Sequence, residues 1–189
     1  MRSFPLLNRI ISDGTKTGGE VPMDRQEKQE ILAQIYLRNL DAVYRVCWLY
    51  MKNISDTEDA VSDTFVRLMR SDMTFESFEH ERSWLIVTAR NICRDMLKSP
   101  KYKNEPLDES MLTGENLTDE TLIAVKELPE KYRTAVYLYY YEGYSCGEIA
   151  KMLGCIKSTV ISRLARGRKI LKKTIEGEQN EAEKSVVAN

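Results

Sequence analysis

Apolar residues along this chain recur every three or four positions, and the alternation that marks half-buried strands is missing. From about Asp24 to Met51, the residues Leu37, Leu40, Tyr44, Cys47, Trp48 and Met51 keep helical spacing, and Asn53 breaks it. Ser55-Asp56-Thr57-Glu58 then reads as a capping box, in which Ser55 and Glu58 satisfy each other's free amides. The helix it opens runs to about Arg70. Ala60, Val61, Phe65, Leu68 and Met69 form its inward stripe, and Asp59, Asp63, Val66, Arg67 and Arg70 lie off it. Residues 71–81 read as a polar-aromatic loop. A third helix is expected from about Arg82 to Lys98, ended by Pro100. Leu85, Ala89, Ile92, Cys93 and Met96 face inward, while Trp84, Val87, Asn91, Arg94 and Lys98 share a different face.

The second half reads differently. Residues 101–117 contain Pro106 and Gly114 and have no clear period, which predicts a linker. Helices follow from Thr118 to Leu128 and, after a Pro129 break, from about Glu130 to Glu142, closed by Gly143. Ser145-Cys146-Gly147-Glu148 is a second capping box. It opens a short helix with Ile149, Ala150 and Leu153 inward. Gly154 supplies a tight turn, and a last helix begins near Ser158 with Val160, Leu164 and Leu171 on one side. Two short helices joined by a glycine-containing turn predict a helix-turn-helix. The expected fold is all-α. Two small helical domains, 24–100 and 118–176, are joined by a flexible acidic linker over 101–117. Residues 1–23 and 177–189 are expected as tails, the first disordered.

Net charge is −1 over 189 residues, so the chain as a whole is no polycation. Its charges are segregated. Residues 104–121 carry six acids and no base, 157–173 carry seven bases and no acid, and 82–103 carry six bases and one acid. A solvated face usually mixes signs, so an all-basic helix suggests phosphates as partners. Its outward N-terminal residues are Lys157, Ser158, Thr159, Ser162, Arg163 and Arg166. In a helix-turn-helix such residues enter the major groove and reach base edges or phosphates.

Other classes are disfavoured. No stretch approaches about 18 apolar residues, so no membrane span is expected. The start is too broken to be a secretory core. Four cysteines, Cys47, Cys93, Cys146 and Cys155, show no CxxC spacing, and His80 is the single histidine. They read as reduced thiols of a cytoplasmic protein, with no metal site and no cofactor. There is no Gly-rich phosphate loop, no His–carboxylate cluster and no nucleophile elbow. The expectation is a protein that is not an enzyme and takes no small-molecule substrate. A stand-alone helix-turn-helix regulator would need a dimer interface or a ligand pocket, and the sequence offers no clear candidate. A helical adaptor would leave the acid-free basic helix unexplained.

Four segments in order resemble one family. Glu127-Leu-Pro-Glu-Lys-Tyr-Arg133, Tyr139-Tyr-Tyr-Glu-Gly-Tyr-Ser145, Glu148-Ile-Ala-Lys-Met-Leu-Gly-Cys155 and Ser158-Thr-Val-Ile-Ser-Arg-Leu-Ala-Arg166 resemble the C-terminal domain of bacterial extracytoplasmic-function sigma factors. Asp56-Thr-Glu-Asp-Ala-Val-Ser-Asp-Thr-Phe-Val-Arg67 is similar to that family's polymerase-binding helix. Ser83-Trp-Leu-Ile-Val-Thr-Ala-Arg-Asn-Ile-Cys-Arg-Asp95 is similar to its −10-element helix. The resemblance covers about 27–175. It departs at Ile156, Ser158 and Ile161, where the family often has proline, glycine and a base. Ser158 is expected to compensate as a helix N-cap.

The resemblance implies a transcription-initiation factor of two parts, sigma region 2 over 24–100 and sigma region 4 over 118–176. Its partners would be core RNA polymerase, at the beta-prime clamp and the beta flap, promoter DNA, and an anti-sigma factor, often membrane-tethered. Asp56, Asp59, Asp63 and Arg67 are implied at the polymerase. Ser77, Phe78, Glu79, His80, Trp84, Arg90, Asn91 and Arg94 are implied at the −10 element, with Asn91 reading a base and Arg90 and Arg94 on phosphates. Lys157, Ser158, Thr159, Ser162, Arg163 and Arg166 are implied at the −35 element.

Overall fold

The computed structural model describes residues 25–71, 74–103 and 120–187, and every regular element among them is a helix. The chain divides into two units, Met1–Glu105 and Pro106–Asn189. The expected tail of 1–23 and nearly all of the expected linker lie outside the described residues.

The first unit contains α1 (Arg25–Tyr50), α2 (Ile54–Arg70), α3 (Phe78–Lys98) and the single turn α4 (Pro100–Lys103). Helix α1 buries Ile35, Asn39, Ala42, Val43 and Val46, and then every residue from Cys47 to Tyr50, with Met51 buried just past its end. This corrects the stripe expected from the sequence, because Leu37 is 75% exposed. The true stripe passes through a polar residue and so escapes an apolar count. Asn39 is tolerated in the core because its amide donates to the Ile35 carbonyl and to the Glu81 carboxylate, at 2.9 and 2.5 Å.

Helix α2 starts two residues earlier than the Ser55–Glu58 box predicts. Asn53 is the N-cap: its Oδ1 accepts from the Asp56 amide at 2.7 Å, and its Nδ2 donates to the Asp56 carboxylate at 2.8 Å. Asn53 satisfies the backbone and the side chain of one residue together, so its register wins over that of Ser55. Thr57, Ala60, Val61, Thr64, Phe65 and Leu68 then pack inward, and Met69 is half-buried.

Helix α3 begins at Phe78, one turn before the predicted Arg82. Ser77 caps it, its hydroxyl accepting from the His80 amide at 3.1 Å. Glu79 and Glu81 lie in the first turn, where negative charge suits the helix dipole. The missed turn has a physical reason. Its buried anchor is Glu81, a carboxylate 4% exposed, and not an apolar side chain. Leu85, Ile86, Ala89, Ile92 and Cys93 continue the buried face. Ser99 ends the helix and Pro100 opens α4, so the proline follows the stop. The Cys47 thiol meets that of Cys93 across the core. This contact and burial push its pKa well above the ordinary thiol range.

The second unit contains α5 (Glu120–Glu127), α6 (Glu130–Tyr140), α7 (Cys146–Met152) and α8 (Lys157–Val187). Leu122, Val125 and Leu128 enter its core, as do Thr134 to Leu138 of α6, Ile149 and Ala150 of α7, and Val160 and Leu164 of α8. Each large apolar side chain buried here contributes about 1.5–3 kcal/mol. Arg133 Nε donates to the Leu128 carbonyl at 3.0 Å and fixes the corner between α5 and α6. Helix α8 continues to Val187, through the segment expected as a tail.

Candidate nucleic-acid interfaces

In the first unit, α2 and α3 border an open cleft of about 500 Å³. Arg67 enters it from α2. Trp84, Val87, Thr88, Asn91, Arg94, Asp95 and Lys98 enter from α3. The whole face singled out from the sequence, Trp84 to Lys98, therefore lines one concavity. Trp84 is held from behind by Phe75, edge-on at 5.8 Å, and Phe75 also meets the His80 ring at 5.6 Å. Phe75 is a supporting residue that sequence reasoning missed, since nothing in a loop's periodicity marks it.

Four charges gather in this cleft. Lys98 Nζ lies 2.6 Å from Asp95 Oδ1, on the surface, where such a pair contributes little. The Asp95 carboxyl is held below its usual range first by that hydrogen bond and then by the charges of Lys98, Arg67 and Arg94. Asn91 is exposed and its Oδ1 accepts from Arg90 at 3.4 Å. Arg90 is half-buried and does not line the cleft.

Ser77, Phe78, Glu79 and His80 form the cap and first turn of α3, not a loop, and do not line this cleft. The Ser77 hydroxyl is used as the cap, and the Glu79 carboxyl is held below its usual range by its own backbone N–H and by Ser77. Phe78 is 66% exposed and carries the Arg38 guanidinium 4.4 Å from its ring centroid. It is the one large apolar side chain of this turn open to a partner.

Along α2, Asp59, Asp63 and Arg67 are exposed. Partial burial, and then the nearby Asp59 charge, raise the Asp63 carboxyl pKa, while Arg70 opposes them. Asp56 is different: it is 7% exposed and engaged by Asn53.

In the second unit, α7 and α8 form the helix-turn-helix. The Ser145 box is complete, with the Ser145 amide donating to Glu148 at 2.8 Å and the Glu148 amide donating to the Ser145 hydroxyl at 3.3 Å. Gly154, at φ 61°, ends α7 in the left-handed region that glycine adopts without strain. The Cys155 and Gly154 amides return to the Ala150 and Lys151 carbonyls at 2.9 and 3.3 Å, a Schellman closure. Helix α8 begins at Lys157, with the Thr159 amide bonded to the Ile156 carbonyl at 3.0 Å. Ser158 is thus inside the first turn and not the expected cap. The helix starts two residues earlier than a Ser158 cap would give, and the Ser158 side chain is exposed.

That side chain lines a hollow of about 240 Å³, with Thr159, Ser162, Arg163 and Arg166 of α8 and Lys131 and Tyr132 of α6. Lys157 is exposed outside it. Lys131 and Tyr132 were not legible as site residues, because the face they occupy on α6 has no distinctive pattern. The Tyr132 phenol is pulled below its usual pKa by a hydrogen bond with Arg166 and then by Lys131, whose Nζ sits 5.0 Å from the ring centroid. Gly167 was also unmarked. It is where α8 meets α6, since a Cβ there would lie 2.7 Å from Val136 Cγ2.

Two family models match the chain. Sigma-70 region 2 covers residues 35–101, and sigma-70 region 4 covers 122–171. The ECF RNA polymerase sigma factor SigM of Mycobacterium tuberculosis is 31% identical over 141 residues, 71% of this chain and 72% of that protein. SigW of Bacillus subtilis, also an ECF RNA polymerase sigma factor, is 26% identical over 171 residues, 78% and 90% of the two chains. Among solved structures, the Bartonella quintana sigma factor RpoE, in complex with the anti-sigma factor NepR, superimposes with a TM-score of 0.62. It shares 20% identity and covers 78% of this chain and 98% of its own. CnrH in complex with the cytosolic domain of CnrY gives 0.61 at 21% identity, covering 91% and 96%.

Proposed function

This chain belongs to the extracytoplasmic-function RNA polymerase sigma factors, and from that membership we propose how its surfaces divide the work of initiation. The exposed acids of α2, Asp59 and Asp63, dock on the clamp of core polymerase. The cleft between α2 and α3 receives the melted non-template strand of the −10 element. Helix α8 lies in the −35 major groove. The second unit also contacts the beta flap.

One observation carries this reading: the face Trp84–Asn91–Arg94–Lys98 lines a single concavity with an aromatic wall and cationic rims. A melted strand needs that combination. Its bases stack on aromatic faces at about 1–3 kcal/mol each, and its phosphates need cations. Extruding a base from a duplex costs a few kcal/mol, so the cleft must compensate with contacts made only to the open strand. Trp84 supplies a ring, Asn91 an amide able to read a base edge, and Arg94 with Arg67 the charge. Arg90, Ser77, Phe78, Glu79 and His80 then act from the border, with Phe78 as the exposed ring beside the cap.

Helix α8 reads the −35 element through Ser162 and Arg163, with Lys157, Ser158, Thr159 and Arg166 at the groove edge. Each unit alone binds DNA weakly. Core polymerase sets their spacing and converts two weak contacts into a strong one. An anti-sigma factor would act by occupying these same surfaces. Both superimposed relatives are described with such a protein or with a cytosolic domain bound. The site of action is the cytoplasm, where polymerase is.

The test is strand opening. With core polymerase and a promoter duplex carrying 2-aminopurine in the −10 element, fluorescence rises as the base unstacks. Arg94→Ala should lower that signal. A full rise with both Trp84→Ala and Arg94→Ala would refute the assignment of this cleft.

A further inference from the structure

We propose that Lys131 and Tyr132 of α6 form, with Arg166 of α8, a seat for one backbone phosphate of the DNA strand bordering the groove that α8 enters. The inference rests on the reading of α8 as the −35 helix and adds a second element to that interface. Among the described residues, the hollow between the two helices is lined by three cations, four hydroxyls and no carboxylate. A phosphodiester offers one negative charge and accepting oxygens only, so a lining of donors and positive charge matches it. Hydroxyl and ammonium groups fit a phosphate in any sequence, whereas base reading needs groups aimed at the groove floor.

The arrangement is fixed from below. Thr134 to Leu138 bury the inner side of α6, and Gly167 sets its approach to α8. Lys131 reaches the hollow along the Tyr132 ring. Tyr132 and Lys131 of α6 line the hollow together with Arg163 and Arg166 of α8, so a phosphate bound there meets groups from two helices at once. A contact made by α6 while α8 lies in the groove would fix the angle and register of the recognition helix on the duplex.

Binding of the full-length protein to short labelled duplexes of several unrelated sequences, followed by anisotropy across a salt series, tests this. Each phosphate contact contributes about 0.9 to the slope of log affinity against log salt. Lys131→Ala should reduce the slope by about one and weaken every sequence equally. Tyr132→Phe should weaken all sequences severalfold and leave the slope unchanged, because the lost hydroxyl is neutral. If Lys131→Ala matches the wild type while Arg163→Ala weakens binding, the seat is refuted and the recognition helix stands. Wild-type protein with no salt-dependent DNA binding would overturn both. Inorganic phosphate that binds the wild type but not Lys131→Ala, with DNA affinity indifferent to Lys131, would make this a free-anion site and overturn the proposal.

Discussion

Arg38 on α1 grips Glu81 in the first turn of α3 through paired hydrogen bonds of 3.0 and 2.7 Å. Asn39 adds a third at 2.5 Å, so the buried carboxylate is surrounded by donors. The same guanidinium lies over Phe78. One ion pair thus pins the start of the helix whose far side lines the cleft.

Arg38 is about a third exposed and can turn to water, so Glu81→Ala mainly takes an acceptor from the buried Asn39 amide, a loss of about 1–3 kcal/mol. Glu81→Ala should destabilise the first unit by about that amount, and Glu81→Gln by less, because the amide still accepts. Both tryptophans, Trp48 and Trp84, lie in this unit, so urea unfolding followed by tryptophan fluorescence reports it alone. An unchanged midpoint for Glu81→Ala would contradict the anchoring role.

Gly167→Ala tests the second unit. Val136 is 1% exposed and has a stiff χ1, so it cannot swing away from a Cβ built 2.7 Å from it. Overpacking costs about 1–3 kcal/mol, offset by up to about 1 kcal/mol of helix propensity gained over glycine. The expected outcome is faster hydrogen exchange in α6 and α8, with the tryptophan-detected transition unmoved. Equal or slower exchange would mean the helices can part without penalty.

Fold class was legible because most buried positions are apolar and helically spaced. Ala60 to Leu68, Leu85 to Cys93 and the Ser145 box all behave as their patterns predict. The pattern failed where the core is polar. Asn39 hid the true stripe of α1 and made Leu37 look buried, and Glu81 hid the first turn of α3. Capping was ambiguous where two side chains competed, as at Asn53 and Ser55. The cleft wall was legible as a face, Trp84 to Lys98, since one helix supplies it. Contributions from a second helix, Arg67 to the cleft and Lys131 with Tyr132 to the hollow, depend on tertiary approach and leave no mark in local spacing.

Asp59→Lys should weaken binding to core polymerase by about 1–2 kcal/mol, near tenfold, and mainly through the association rate. Surface plasmon resonance on immobilised core enzyme measures this. Asp56 makes a useful contrast. It is engaged by Asn53 at the cap, so Asp56→Asn should lower stability more than affinity. Unaltered association by Asp59→Lys would remove α2 from the polymerase interface.

Asn91→Ala should flatten base preference in the −10 element, by about 1–3 kcal/mol at one position. Arg67→Ala should weaken open complexes on every sequence alike, as a phosphate contact does. Competition among promoter variants in transcription reads both. A uniform loss with Asn91→Ala, or a sequence-specific one with Arg67→Ala, would exchange the two roles.

Promoter-dependent transcription with purified components tests the central claim most directly. The full-length protein is added to sigma-free bacterial core polymerase on the DNA upstream of its own gene, since members of this family often drive their own promoter. A discrete transcript that requires both proteins, and that is lost with Arg163→Ala and Arg94→Ala, is the predicted result. No transcript and no binding to core polymerase would contradict it, and would leave a regulator that acts on DNA without polymerase.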